Sequence, residues 1–232
     1  MTRCLGCLSL QEDNEIPISQ DRIDFTPLPQ EIAEVALTHI KKVNRSVVSF
    51  GQGCEGDPLL AADAVEAAIR MIRAATRRGT INMNTNASRP AILEKLFDAG
   101  LDSMRVSMNS VRKKYYDRYF RPKGYTFADV SKSIDIAVRK GKFVALNYLN
   151  CPGFTDTPEE LNALISFLKK HSINMIQWRN LNFDPVRYWS IMNGTAKRSK
   201  PVGMQTVLGR IRRAFPELKF GYFNPPKEKF GI

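Results

Sequence analysis

Two hydrophobic periods take turns along this chain. Ile32, Val35, Ala36 and Ile40 recur every three or four residues and predict a helix over 29–42, with Pro29 suited to its first turn. Residues 46–50 read as a short buried strand that runs into a loop over 51–58. A second helix is expected over 59–77, with Leu60, Ala64, Ala67, Ala68, Met71 and Ile72 on one side. Strand-like and helical stretches then alternate: a strand at 80–86, a helix at 89–98 closed by Gly100, and a strand at 103–108. Helical segments follow at 111–119 and 127–140, the second closed by Gly141. A strand at 143–149 leads into the loop Cys151-Pro152-Gly153-Phe154. Thr157, followed by Pro158 and by Glu160 three residues on, has the form of an N-cap for a helix over 158–170, and a strand at 174–178 comes next.

Strands alternating with helices require a parallel sheet with right-handed crossovers, so the fold class is α/β. In such folds the functional loops lie at the carboxyl ends of the strands. Beyond residue 185 the pattern changes to a basic linker bearing Gly and Ser, a helix near 204–214 and an edge strand at 219–223 that Asn224-Pro225-Pro226 breaks. The expected division is therefore 1–185 for the α/β unit and 186–232 for a C-terminal extension of unassigned role.

Composition narrows the class. With 43% hydrophobic and 25% charged residues, the chain is ordinary for a globular protein. No apolar stretch long enough to span a bilayer is present, and no apolar segment follows Arg3 as a secretory leader would demand, so a cytoplasmic protein is expected. The formal charge is +12, with basic clusters at 112–114, 197–200 and 210–213. Such a balance admits nucleic acid or an anionic substrate as partner, or simply a solvated basic surface.

The four cysteines are Cys4, Cys7, Cys54 and Cys151. Cys4-Leu5-Gly6-Cys7 is a C-x-x-C pair, which reads as a metal or redox site, and the short polar stretch after it favours metal. A four-cysteine zinc site does not fit, because Cys54 and Cys151 have no C-x-x-C partner of their own. The strand ends carry polar groups. Glu55-Gly56-Asp57-Pro58 combines glycine, which lets a backbone approach a ligand, with a carboxylate that can receive an ammonium group. Asp57 could equally cap the following helix. Asn82, Asn84 and Asn86 alternate along one strand, and Arg105, Ser107 and Asn109 along the next, with Gln177, Arg179 and Asn180 on a third. Asn is disfavoured in strands, so an inward ladder of this kind calls for a polar ligand or for a hydrogen-bonded plug.

Taken in order, these motifs resemble the radical SAM superfamily over about residues 1–185. Cys4 and Cys7 look like the last two cysteines of its C-x-x-x-C-x-x-C loop. Glu55-Gly56-Asp57-Pro58 resembles its Gly-Gly-Glu-Pro motif, with Asp57 where Glu is usual. Ser107 and Asn109 resemble its ribose-contacting positions, and the segment from Asn147 to Gly153 stands where an adenine-contacting segment belongs, although its glycine pattern is weak. The resemblance implies a partial (β/α)6 barrel whose first strand, like the first motif cysteine, would lie before Met1. It implies a [4Fe-4S] cluster and S-adenosylmethionine as cofactors, thiolates being the ligands such clusters use. One electron cleaving the sulfonium would give a 5′-deoxyadenosyl radical that abstracts hydrogen from a substrate. On this basis Cys4 and Cys7 hold metal, Asp57 receives the methionyl ammonium, Ser107, Asn109 and Asn147 bind the nucleoside, and Arg179 takes the methionyl carboxylate or a substrate anion. With two motif cysteines the chain as given would be inactive. A flavodoxin or ferredoxin would be the electron donor.

The alternative is a non-catalytic basic nucleic-acid-binding module with a Cys4/Cys7 zinc half-site. A hydrolase or phosphate-binding barrel fits less well. Neither G-x-x-x-x-G-K-[ST] nor G-x-S-x-G occurs, and His39 and His171 are expected in helices, away from strand ends.

Overall fold

The computed structural model describes residues 2–7, 9–11, 18, 22–51, 56–193 and 199–231. Six strands form one parallel sheet in chain order: β1 (Val47–Phe50), β2 (Thr80–Thr85), β3 (Ser103–Met108), β4 (Phe143–Asn150), β5 (Met175–Asn180) and β6 (Lys219–Phe220). The helices are α1 (Pro29–Lys42), α2 (Ala62–Ala75), α3 (Pro90–Ala99), α4 (Lys113–Phe120), α5 (Phe127–Arg139), α6 (Pro158–Lys170), α7 (Pro185–Asn193) and α8 (Met204–Ala214). A sheet wound in strict sequence order by right-handed crossovers places its helices on one face and curls as part of a barrel.

The two faces differ as period-two alternation demands. Ile81 and Met83, Met104, Val106 and Met108, Val144, Leu146 and Tyr148, and Ile176 face the helices and are buried in one core. Register stacks the other face into layers. Asn82 pairs with Ser103, Asn84 with Arg105, Ser107 with Asn147 and Asn147 in turn with Gln177; Leu149 pairs with Arg179 above them. The C-terminal segment covers the amino-terminal end of this inner face. Phe230 stacks on Phe143 with 4.5 Å between centroids, and Lys219 Nζ donates to Lys229 O at 2.6 Å. The segment then reaches the opposite edge of the sheet: Lys227 N donates to Thr80 Oγ1 at 2.7 Å, and Asn224 Nδ2 to Ser49 Oγ and Asn84 Oδ1, both at 3.3 Å.

Some expectations need correction. The helix read over 59–77 begins as a 3-10 turn, Pro58–Ala61, before α2 proper, since Asp57 caps a tight turn opened by Pro58. The buried stripes are rotated: Val65, Ala68, Ile69 and Ile72 lie inside, whereas Leu60, Met71 and, on α1, Val35 are exposed. The tail opens with a helix that was not expected, α7, which buries Tyr188 and Met192, and the basic Gly- and Ser-bearing linker read after it lies largely outside the described residues. The edge strand is only two residues long, Lys219–Phe220. His171 ends α6 rather than lying within it, buried and bonded to Asp135 at 2.5 Å.

Candidate functional site

The carboxyl ends of the strands gather three groups of polar residues around the N-terminal turn. That turn, Cys4 to Cys7, closes with a Cys7 N to Cys4 O bond of 3.2 Å. It is pinned to the end of α4, where Arg3 N donates to Phe120 O and Leu5 N to Tyr119 O, both at 3.0 Å. Helix C-terminal carbonyls lack intrahelical partners, so they are free to accept such bonds. Leu5 anchors the turn in a small apolar cluster with Leu149, Phe154 and Tyr188. Gly6 lies against Tyr119: a Cβ there would sit 2.9 Å from its hydroxyl and 3.2 Å from Asn182 Oδ1, so the turn approaches the aromatic wall closely because it has no side chain.

The two thiols share a hydrogen bond. That bond, against an opposing rise from burial and with help from the Ser9 backbone and hydroxyl and the Leu10 backbone, holds Cys7 down to about 4. The same sharing, and then burial, push Cys4 up. Arg22 Nη2 stands 3.8 Å from Cys7 Sγ, and the guanidinium of Arg179 is near enough to act on Cys4 and on the buried Tyr119. A reactive thiolate needs an electropositive, partly exposed setting, which the Cys7 side of the pair has. Cys4 and Cys7 therefore fit thiolate ligation of iron in kind. They offer two attachment points; among the described residues no group of three His, Cys, Asp or Glu comes together. Cys54 lies outside the described residues, and Cys151 is buried among apolar side chains.

The second group follows β1. Gly56 has φ 91°, a conformation that favours glycine, and Pro58 opens the 3-10 turn. Glu55 lies outside the described residues. Asp57 is bonded on both oxygens. Oδ1 accepts from Leu59 N at 3.0 Å and Thr85 Oγ1 at 2.9 Å; Oδ2 accepts from Asn86 N at 2.6 Å. Burial raises its pKa, and these donors oppose the rise. The carboxylate thus ties the loop after β1 to the end of β2, and the capping role foreseen for it is present in the structure.

The β2 asparagines are a hydrogen-bonded plug. Asn82 Nδ2 donates to Asn84 Oδ1 at 3.0 Å and to Ser49 Oγ at 3.3 Å, while its Oδ1 accepts from Ser103 Oγ at 2.8 Å. Asn84 Nδ2 donates to Gly51 O at 3.2 Å. Asn86 Nδ2 donates to Thr2 Oγ1, and its Oδ1 accepts from Ser88 N at 2.9 Å.

The third group is differently placed. Ser107, Asn147 and Gln177 are register neighbours on three adjacent strands. Asn147 Oδ1 is buried with no hydrogen-bond partner among the described residues. Arg105 extends from one layer below to bond Gln177 Oε1 through Nη1 at 2.5 Å, and its Nε is buried without a partner among the described residues. Arg179 stands exposed at the rim above. Asn109 is set apart: it follows β3, is buried, and its Nδ2 donates to Tyr115 O at 3.2 Å. The structure thus brings Ser107, Asn147 and Arg179 to one inner face and places Asn109 in the wall against α4. The strand-end rule could not find Tyr119, which comes from a helix, nor Arg22, which precedes the first element. Arg105 was visible only as one member of a polar alternation.

The family model described as the radical SAM superfamily matches residues 2–168. An uncharacterized protein of Methanocaldococcus jannaschii is 25% identical over 174 residues, 72% of this chain and 58% of that protein. Among solved structures, HydG, a maturase of the [FeFe]-hydrogenase, superposes with TM-score 0.63 at 18% identity, over 100% of this chain and 51% of its own. Methylornithine synthase superposes with TM-score 0.60 at 15% identity, over 95% of this chain and 60% of its own. Streptococcus suis SuiB, solved bound to S-adenosylmethionine, gives 0.61 at 12%, over 96% and 48%. The chain thus spans about half to three fifths of the length of these proteins. At such identities the structural likeness shows the fold. None of these matches supports the basic nucleic-acid-binding module. No described helix is long and apolar enough to cross a membrane.

Proposed function

The chain belongs to the radical SAM superfamily, and from that premise we propose that its inner face binds S-adenosylmethionine beside a thiolate-held iron–sulfur cluster. Membership carries S-adenosylmethionine-dependent radical chemistry in general; the residue roles are this proposal. When bound, the cluster supplies one electron, and reductive cleavage of the sulfonium gives a 5′-deoxyadenosyl radical that abstracts hydrogen from substrate. The observation that carries the reading is the Ser107–Asn147–Gln177 layer, with Asn147 Oδ1 unpartnered among the described residues, on the inner face that has Arg179 at its rim.

Each side chain then has a task. Cys4 and Cys7 hold iron. Ser107 and Asn147 hydrogen-bond the nucleoside, with Asn109 shaping the wall behind it. Arg179, at the rim above that layer, takes the methionyl carboxylate. Gly56 and Pro58, with Glu55, shape the loop over the methionyl end. Asp57 acts on the ammonium group by fixing that loop, since its oxygens already accept from two backbone N–H groups and a hydroxyl. Tyr119, Tyr188 and Phe154 form an apolar wall that excludes water. In this scheme residues 1–185 carry the cofactor contacts, α7 adds Tyr188 to the apolar wall, and the segment over 219–230 closes the barrel floor. An acidic flavodoxin or ferredoxin as electron donor suits the basic surface.

Two measurements test this. Equilibrium dialysis of the full chain with S-adenosylmethionine should show saturable binding; its absence would overturn the reading. With two thiolates the chain as given should load fewer than the four irons of a complete [4Fe-4S] cluster in anaerobic iron–sulfide reconstitution, and Cys4→Ala and Cys7→Ala should each lose the iron it does load. Parental iron content in either variant would remove the pair as ligands.

A further inference from the structure

The inner face carries two guanidinium groups and, along its strands, no carboxylate. Its inward residues at the carboxyl half are Arg105, Ser107, Asn147, Gln177 and Arg179, with Leu149 between. Neither arginine has an ion-pair partner among the described residues. A partly buried arginine without a counter-ion raises the free energy of the folded protein, so such groups are kept where an anion neutralises them. S-adenosylmethionine brings one carboxylate, which the proposal above assigns to Arg179 at the rim. Arg105 starts lower, in the layer of Ala145 and Met175.

The way Arg105 is held indicates what it can bind. Nη1 is committed to Gln177 Oε1, which fixes the plane of the guanidinium. Nε has no partner among the described residues, and together with Nη2 it forms the edge that presents two parallel N–H groups. That edge matches two oxygens of one carboxylate or phosphate group. Strand side chains set its position: rigid β3 supplies the arginine and β5 the glutamine.

We propose that Arg105 anchors an oxyanion of the substrate, a carboxylate or phosphate group held inside the barrel and distinct from the methionyl carboxylate. This rests on the S-adenosylmethionine reading of the same face. It makes Gln177 a positioning residue. It also names the substrate class: a small molecule or peptide end with a terminal oxyanion that enters the barrel ahead of the carbon from which hydrogen is taken.

The guanidinium Nε–H resonances of the full chain, followed by two-dimensional 1H–15N NMR, provide the test. Arg105→Lys identifies the Arg105 signal. Acetate and inorganic phosphate are titrated separately, with Arg70, an exposed arginine paired to Glu66, as the internal reference for non-specific anion effects. The Arg105 signal should shift saturably at concentrations at least tenfold below any response of Arg70, with phosphate or acetate leading according to which oxyanion the site prefers. The shift should persist when S-adenosylmethionine is present in excess. Parallel responses of Arg105 and Arg70 would overturn the proposal. So would loss of the anion response on adding S-adenosylmethionine, which would give Arg105 to the methionyl carboxylate. S-adenosylmethionine binding is measured on its own by dialysis, so failure of the cofactor reading and failure of the substrate anchor are separate results.

Discussion

Asn82 and Asn147 occupy the same inner face of the same sheet and have opposite surroundings. Asn82, near the floor, bonds Ser49, Asn84 and Ser103, and Asn84 is bonded in turn by the C-terminal segment. Asn147, two layers higher, leaves a buried carbonyl without a partner among the described residues. Buried polar atoms in folded proteins are almost always paired, so the two ends of the barrel face have different purposes. At the floor the strand asparagines are bonded within the fold, although Oδ1 of Asn224 in the covering segment has no partner among the described residues. Near the rim the polar side chains are arranged for something that is not part of the chain. Residue type alone does not separate these roles, because the same amide is used for both.

The largest effect should follow from breaking the floor. Asn82→Ala removes the acceptor of the buried Ser103 hydroxyl and the donor to Asn84, and it leaves a cavity between three strands. A loss of about 2–4 kcal/mol is expected from the unpaired groups and the lost packing. Urea denaturation of parent and variant measures it. A difference below about 0.5 kcal/mol would mean that the floor network contributes little, and the contrast with Asn147 would collapse.

Asp57→Asn should come next, at about 1–2 kcal/mol. An amide has one acceptor oxygen, whereas Asp57 serves Leu59 N and Asn86 N on different oxygens. One of these N–H groups would then face an NH2. A plain helix cap would tolerate Asn almost silently, so an unchanged midpoint would reduce Asp57 to a cap and undo its link to β2. The pH dependence has a definite sign. Burial raises the pKa of Asp57 in the folded chain above its ordinary value. Its contribution to stability is therefore full below the ordinary carboxylate pKa and declines as pH rises through the raised one. Asp57→Asn should lose that decline, and an identical acid limb in both proteins would contradict the burial.

The division between floor and rim also marks what the sequence could reveal. Period and spacing carried the elements. The helix predicted over 29–42 is Pro29–Lys42, and each of the five strands up to residue 180 falls where alternation put it. Helix α7 was missed because, among its described side chains, Tyr188 and Met192, four residues apart, are the fully buried ones, too few for a period. Its start was legible all the same: Asp184 precedes Pro185, and its carboxylate accepts from Arg187 N at 2.6 Å. The motif order Cys4/Cys7, Glu55–Pro58, Ser107 pointed to the family that the matches confirm. What could not be read was saturation. Whether an asparagine on a strand is already bonded depends on partners up to 140 residues away, as for Asn84 and Asn224. Tyr119 was hidden for a similar reason, since the close approach of Gly6 to its hydroxyl is a tertiary contact.

The smallest stability effect should come from Asn147→Ala, and for that reason it is the sharpest test of the contrast. Truncating a side chain whose buried oxygen has no described partner removes a desolvation cost along with some packing. The two terms oppose one another, and the net change should lie within about 0.5 kcal/mol of zero. Ligand binding should respond instead. If the oxygen accepts a hydrogen bond from the nucleoside, its loss is worth roughly 0.5–1.5 kcal/mol, or about a two- to tenfold weaker affinity for S-adenosylmethionine. Asn82→Ala should show the converse, lost stability with binding little changed under conditions where it stays folded. Denaturation and dialysis on the same two variants therefore form a cross. If Asn147→Ala costs as much stability as Asn82→Ala and leaves the affinity unchanged, Asn147 belongs to the plug, and the nucleoside must be sought elsewhere on the face.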